Sequence, residues 1–355
     1  MAAYCPKCGG TLAGDAVFCT RCGSQVGAAP EAAGVVPATR GGRRPSNESI
    51  ASGEQRLLKT LREVTLGEYE VLSEIGRGGM AVVFLAHDIA LNRRVAIKCM
   101  APALMLMDQG IQERFNREAR TAASLSHPHI IPVFAVNESR DLVYFVMKYV
   151  EGRSLESVIK EVGPLPIPVT QTILNQAGTA LGYAHRHGVV HRDVKPGNLM
   201  LDQEGWLVMT DFGIAKVAQA EALTMTGGMI GTPAYMSPEQ CQGGDVTGAA
   251  DQYSLGVVAF EMVTGRPPFA STTMVNMMYD HCHTPPPPIH GLRADCPPEL
   301  ADAVMRMIAK DVADRFPTIE EAVAAVGVAA ETYDAVRTRI LTLMQSSGTA
   351  KLLEK

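Results

Sequence analysis

Segments with strand patterning occupy the first part of the folded region of this chain and segments with helix patterning fill the rest, and this segregation constrains the fold more than any other feature. Residues 69–75, 82–86 and 94–100 alternate or run apolar at strand length, and 130–136 and 141–149 do so again. Between the third and fourth of these lies one helical stretch, 111–125, in which Ile111, Phe115, Glu118, Ala122 and Leu125 share a face. After a break at 150–152 the pattern becomes helical, first over 154–162 and then over a long, largely apolar 170–187. Strands followed by helices predict an α+β domain of two lobes, connected near residues 148–153.

The region before that domain is of a different kind. Residues 4–23 read YCPKCGGTLAGDAVFCTRCG, two CxxC pairs (Cys5 and Cys8, Cys19 and Cys22) separated by ten residues. Four thiolates form a tetrahedral set that suits zinc, with iron the less fitting occupant, and about 20 residues cannot bury a core of their own, so the metal would be the core. The segment resembles the small zinc ribbons at the ends of many bacterial proteins, and with every position filled by protein it reads as a docking module, not a catalytic metal. Residues 28–52 are rich in Ala, Gly, Pro and Ser and read as a flexible linker, and Leu57, Leu58, Leu61 and Val64 at helical spacing make 55–64 a short amphipathic helix. The remaining cysteines, Cys99, Cys241, Cys282 and Cys296, are scattered singly, as buried small hydrophobes would be.

Charge excludes little but points the same way. The formal balance of −5 splits into +3 over residues 1–64 and −8 over the remainder, which marks the N-terminal part as separate and gives no chain-wide grip on nucleic acid. No apolar run follows a basic start, and the nine-residue run 322–330 falls well short of the roughly 20 needed to cross a bilayer. A cytoplasmic protein without a membrane span is the expectation.

Three polar features interrupt the apolar patterning. The turn 76–83, GRGGMAVV, matches GxGxxGxV except for Ala81 at the third glycine; it suits phosphate binding, and equally a tight hairpin. VAIK at 95–98 puts Lys98 in an apolar strand, which is costly unless a carboxylate meets it, and Glu118 in the middle of its apolar stripe is the expected partner. Residues 191–198, HRDVKPGN, gather Asp193, Lys195 and Asn198 where Pro196 and Gly197 prevent a regular helix, so this is a loop that holds polar groups. A hairpin of 199–201 and 206–210 leads from it into DFG at 211–213.

The glycine turn, VAIK, an inward Glu, HRDVKPGN, DFG and PE at 238–239, in that order, resemble the protein kinase family over roughly 66–326. HPHI at 127–130, VMKYVEG at 146–152 and GTPAYMSPEQ at 231–240 make the chain similar to bacterial serine/threonine kinases of the eukaryotic-like, Hanks type. The resemblance implies a bilobal kinase fold, β-rich N-lobe before helical C-lobe, over 65–330, preceded by the ribbon (1–27) and linker with its short helix (28–64) and followed by a C-terminal helix and disordered tail (331–355). It implies ATP and magnesium or manganese as cofactors. Gly76 and Gly78 would approach the phosphates, Lys98 held by Glu118 would contact them, and Ile75, Val83, Ala96, Met147, Tyr149 and Val150 would surround the base, with Met147 as gatekeeper. Asp193 would handle the substrate hydroxyl, Lys195 the γ-phosphate, and Asn198 with Asp211 the metal. Lys148 departs from the acid that the family often has at that place. Glu239 with Arg315, and Asp251, would be scaffold.

Residues 211–239 have little regular pattern and are longer than a compact domain tolerates without reason; by resemblance they form the activation loop. Thr224 and Thr226 are the candidate phosphorylation sites and Arg192 the candidate clamp for a phosphate, which implies autophosphorylation in trans through transient self-association. Proteins bearing Ser or Thr are the expected substrates, and a protein is the expected partner of the ribbon, ahead of nucleic acid. The competing reading is a pseudokinase scaffold that recruits partners through ribbon and nucleotide pocket, although Lys98, Asp193, Asn198 and Asp211 are all present.

Overall fold

The alternating segments near residue 70 form the strands expected of them. The structure, a computed structural model, describes residues 3–4, 11–12, 47–78, 81–100, 120–139, 142–212 and 233–350. The chain divides into two units, Met1–Ala51 and Ser52–Lys355. In the first, β1 (Ala3–Tyr4) pairs antiparallel with β2 (Thr11–Leu12), Ala3 opposite Leu12. The four cysteines of the expected ribbon lie outside the described residues.

Helix α1 (Asn47–Val64) leads into a five-stranded antiparallel sheet of β3 (Tyr69–Arg77), β4 (Ala81–Asp88), β5 (Arg93–Met100), β6 (Val133–Ser139) and β7 (Leu142–Lys148), ordered β3-β4-β5-β7-β6. Leu57 and Leu61 of α1 bury against one face of the sheet, with Val71, Phe84 and Ile97. Residues 47–52, read as linker from their composition, are helical. Residues 130–136 are corrected too. Pro132 has no N–H to give a ladder, so β6 starts at Val133, while Ile130 makes an isolated parallel bridge to Met209 and the Ile131 amide donates to Met209 O at 2.9 Å.

Beyond β7 the chain enters its helical part through β8 (Gly152–Ser154), α2 (Leu155–Val162) and α3 (Ile167–Arg186), followed by a 3-10 turn, Pro196–Asn198, and the hairpin β9 (Leu199–Asp202) and β10 (Leu207–Met209). Ser154 caps α2 by accepting from Ser157 N at 3.2 Å. A Cβ at Gly152 would stand 1.9 Å from Leu201 O, so only glycine lets β8 pair with β9. Next come α4 (Pro238–Cys241), α5 (Gly248–Thr264), α6 (Met274–His283), α7 (Pro298–Met307), α8 (Ile319–Val326) and α9 (Tyr333–Ala350). Helix α5 is buried almost throughout 250–260, which is why it reads apolar on every side.

Helix α9 extends through residues 346–350, which composition marked as disordered tail. It is fastened rather than loose. Val336 and Ile340 are buried, the Tyr333 ring lies 5.0 Å from that of Trp206, and Arg153 Nη1 donates to Met344 O at 3.2 Å. Among the described residues no helix is long and apolar enough to cross a membrane.

Candidate active site

The loop 191–198 hangs between α3 and β9 with its side chains turned on one another. Asp193 Oδ2 accepts from Lys195 Nζ at 2.9 Å and from Asn198 Nδ2 at 3.0 Å, and the same Asn198 nitrogen reaches Asp193 O at 2.8 Å. An ammonium and an amide thus converge on a single carboxylate. The loop backbone is held from below by Asp251 at the start of α5, whose carboxylate accepts from His191 N and Arg192 N, both at 2.7 Å, and meets His185 Nε2 at 2.8 Å. Asp251 is 1% exposed, so a buried charge is satisfied by three donors.

His191 closes the loop on its other side. Its Nε2 lies 3.0 Å from Thr210 O, and a carbonyl only accepts, so Nε2 carries the proton and Nδ1 accepts from Asp193 N at 3.3 Å. Burial lowers the pKa of this ring, against the pull of Asp251, Asp193 and Asp211, which suits the neutral tautomer the contacts require. Arg192 (φ 64°) and Asp211 (φ 61°) are both left-handed without being glycine, a strain concentrated at this site and maintained by the bonds around it.

Above the loop, Lys98 on β5 is buried and pairs with Asp211 Oδ1 at 2.5 Å. The register of β5 places Lys98 opposite Val83 on β4 and Phe145 on β7. Glu118, the partner expected from helical spacing, lies outside the described residues, as do Thr224 and Thr226. Ala96, Met147 and Val150 are buried in one cluster, with Val83, Tyr149 and Met200 packed against it, and Ile75 at the glycine turn is 45% exposed. Lys148 is exposed, so its departure from the family's usual acid costs the packing nothing.

The glycines of the turn are not imposed by the local backbone. Neither Gly76 nor Gly78 has positive φ, and a Cβ on either would meet nothing closer than 3.8 Å. The fold itself does not demand glycine at these positions, which fits a backbone kept bare for a phosphate to approach. The donor set below fits a hard cation equally well. Asn198 spends its nitrogen on Asp193 and keeps its amide oxygen, and Asp211 gives one oxygen to Lys98 and keeps the other.

The scaffold residues meet as the resemblance implies. Arg315 and Glu239 pair through two bonds of 2.9 Å, and Arg315 is 1% exposed. Three residues that bear on the site escaped sequence reasoning: His185, which holds Asp251; Gln240, whose Nε2 donates to Arg192 O at 2.9 Å; and Met200, which packs against the cluster of Ala96, Met147 and Val150. None of the three carries a local signal in the sequence; Met200 is one of three consecutive apolar residues in 199–201.

Comparison with known proteins adds an independent line. A profile of the protein kinase domain family matches residues 69–326. The chain is 39% identical over 255 residues to serine/threonine-protein kinase PrkC of Bacillus subtilis (strain 168), covering 72% of this chain and 39% of that protein. It is 39% identical over 259 residues to serine/threonine-protein kinase PknB of Mycolicibacterium smegmatis, covering 71% and 41%. Against serine/threonine-protein kinase PknA of Mycobacterium tuberculosis (strain ATCC 25618 / H37Rv) it is 42% identical over 272 residues, 74% of this chain and 62% of that one. The chain spans about two fifths of the length of the first two of these relatives.

Proposed function

This chain belongs to the protein kinase family, and on that premise we propose that it transfers the γ-phosphate of ATP to serine and threonine hydroxyls of protein substrates in bacterial signalling. The observation that carries the reading is the convergence of Lys195 and Asn198 on the Asp193 carboxylate beneath the Lys98–Asp211 pair. Phosphoryl transfer asks little covalent chemistry of a protein; it asks for positioning and for charge placed where phosphate charge develops. Asp193 orients the hydroxyl and takes its proton, while Lys195 beside it offers a positive charge to the transferred group. Lys98 and the amides at Gly76 and Gly78 hold the phosphates, and Ile75, Val83, Ala96, Met147, Tyr149 and Val150 enclose the base, with Met200 opposite. Asn198 and Asp211 would hold magnesium or manganese, which would supply charge to offset the phosphate oxygens.

The test is direct transfer. With labelled ATP, magnesium and a generic basic protein, the full chain is expected to place label on phosphoserine and phosphothreonine. Label on tyrosine alone, or none with either metal, would overturn the reading.

Control of this activity falls to Thr224 and Thr226, with Arg192 as the group that binds the phosphate once added. Protein made without phosphorylation is expected to show a lag that shortens as its concentration rises, the mark of modification in trans. The double Thr→Ala variant should stay at the initial rate, and wild-type speed in that variant would end the idea. At the N-terminus Cys5, Cys8, Cys19 and Cys22 are proposed to hold one zinc ion and to present a surface for a protein partner. Metal analysis of purified protein should find about one zinc per chain, reduced in Cys5→Ser/Cys8→Ser; iron in place of zinc, or an unchanged content in the variant, would refute it.

A further inference from the structure

Two of the scattered cysteines, Cys241 and Cys282, lie on neighbouring helices of the helical part. Cys282 lies near the end of α6 with its Sγ 3.9 Å from Pro238 O, the first residue of α4. Cys241 is the last residue of α4, three positions on, and the two helices pack on each other. Residues three apart share a helix face and helical side chains lean toward the N-terminus, so Cys241 leans back over the turn that Cys282 touches. Both sulfurs act electrostatically on the same two neighbours, Tyr253 and Lys310. Lys310 donates to Asp280 O at 2.8 Å and His281 O at 2.7 Å, which puts a cation at the end of α6. Burial lowers that amine to about 8, with Cys282, Asp280 and Cys241 pulling the other way.

The other two described cysteines are of a different kind. Cys99 is fully buried and its thiol is pushed up to about 12, and Cys296 is buried with its thiol also raised. Such thiols are inert. Cys241 and Cys282 are both partly exposed, within reach of a small oxidant.

We propose that Cys241 and Cys282 form an oxidation site, closing to a disulfide that ties α4 to α6 and restrains the substrate side of the active site. With a peroxide as oxidant, one thiol attacks an oxygen, the O–O bond breaks, and a sulfenic acid and one water form. The second thiol displaces the hydroxyl as a second water and the S–S bond forms, two electrons having passed from sulfur to oxygen. The tie matters because α4 also carries Glu239, paired with Arg315, and Gln240, bonded to Arg192 O beside Asp193. Displacing α4 therefore displaces the backbone of the catalytic loop. The effect on catalysis rests on the kinase reading, whereas formation of the bond does not.

The full chain, reduced and then exposed to hydrogen peroxide, is digested without reductant and its cross-linked peptides are identified by mass spectrometry. A peptide pair joining Cys241 to Cys282, absent in Cys282→Ser and lost on adding a thiol reductant, is expected. Alongside it, kcat/KM for protein substrate should fall roughly fivefold or more, with KM for ATP unchanged, and return on reduction. The Cys282→Ser variant should keep its rate in peroxide. Absence of the cross-linked pair overturns the site even if the rate falls, because oxidation elsewhere then accounts for it. A pair that forms without changing the rate of an active enzyme overturns the control. Where the chain transfers no phosphate at all, the peptide map still decides the site.

Discussion

Asp193→Asn is expected to lower kcat for protein phosphorylation by about 10²–10⁴-fold, the range that a positioned proton acceptor contributes. The exchange is nearly isosteric. Lys195 Nζ and Asn198 Nδ2, which now donate to Asp193 Oδ2 at 2.9 and 3.0 Å, can still donate to an amide oxygen, so the loop should keep its shape. What disappears is the negative charge and the basicity that the substrate hydroxyl requires. The side chain is 26% exposed and is not part of the cluster proposed to enclose the base, so KM for ATP and the melting temperature should stay close to those of the parent. A steady-state comparison at saturating ATP, with a thermal melt of the same preparations, separates the two effects. A variant keeping more than about a tenth of the parent rate would remove Asp193 from the role proposed for it.

Much of the fold was legible because it is written in local periodicity. The β4 and β5 strands alternate or run apolar as they pack, and the long apolar segment after α2 is the helix α3 that its length suggests. The misreadings have local causes. Residues 130–136 look like a uniform strand by hydrophobicity, but Pro132 removes the donor on which pairing depends, and the pairing of Ile130 is made with Met209, 79 residues away. Residues 47–52 and 346–350 look like tail by composition, yet both continue helices whose buried turns lie elsewhere, at Leu57 and Leu61 and at Val336 and Ile340.

The site shows the same division. Asp193, Lys195 and Asn198 could be grouped as candidates because they lie within one short segment, and Lys98 because a lysine in an apolar strand is conspicuous; the structure brings the first three together and pairs Lys98 with Asp211. Gln240 and His185 could not be so grouped, since each earns its place by meeting a backbone or carboxylate group far off in the chain. The left-handed backbone of Arg192 and Asp211 left no trace either, because the residues that enforce it, among them Asp251, are remote in sequence.

Glu239→Gln is expected to destabilise the chain by about 3–5 kcal/mol, the usual result of leaving one member of a buried ion pair without the other. Arg315 uses all five of its N–H donors: Nε to Ala309 O, Nη1 to Glu239 and Ala249 O, and Nη2 to Glu239 and Lys310 O. Its guanidinium also lies 4.9 Å over the Tyr253 ring. Gln removes the counter-charge and turns an NH₂ toward a guanidinium that can only donate, so a bond becomes a clash of donors against a fully enclosed Arg315 side chain. The melting temperature should fall by on the order of 10 °C, measured by calorimetry. Arg315→Lys should cost nearly as much, because an ammonium cannot reproduce the fork. The double variant Glu239→Leu/Arg315→Met should lose less than the two single changes added together, since it leaves no charge behind. A Glu239→Gln protein melting within about 2 °C of the parent would show that the pair is not a support of this lobe. Activity should fall further than folding alone explains, because Glu239 is covalently next to Gln240, and it is Gln240 that holds Arg192 beside the catalytic carboxylate.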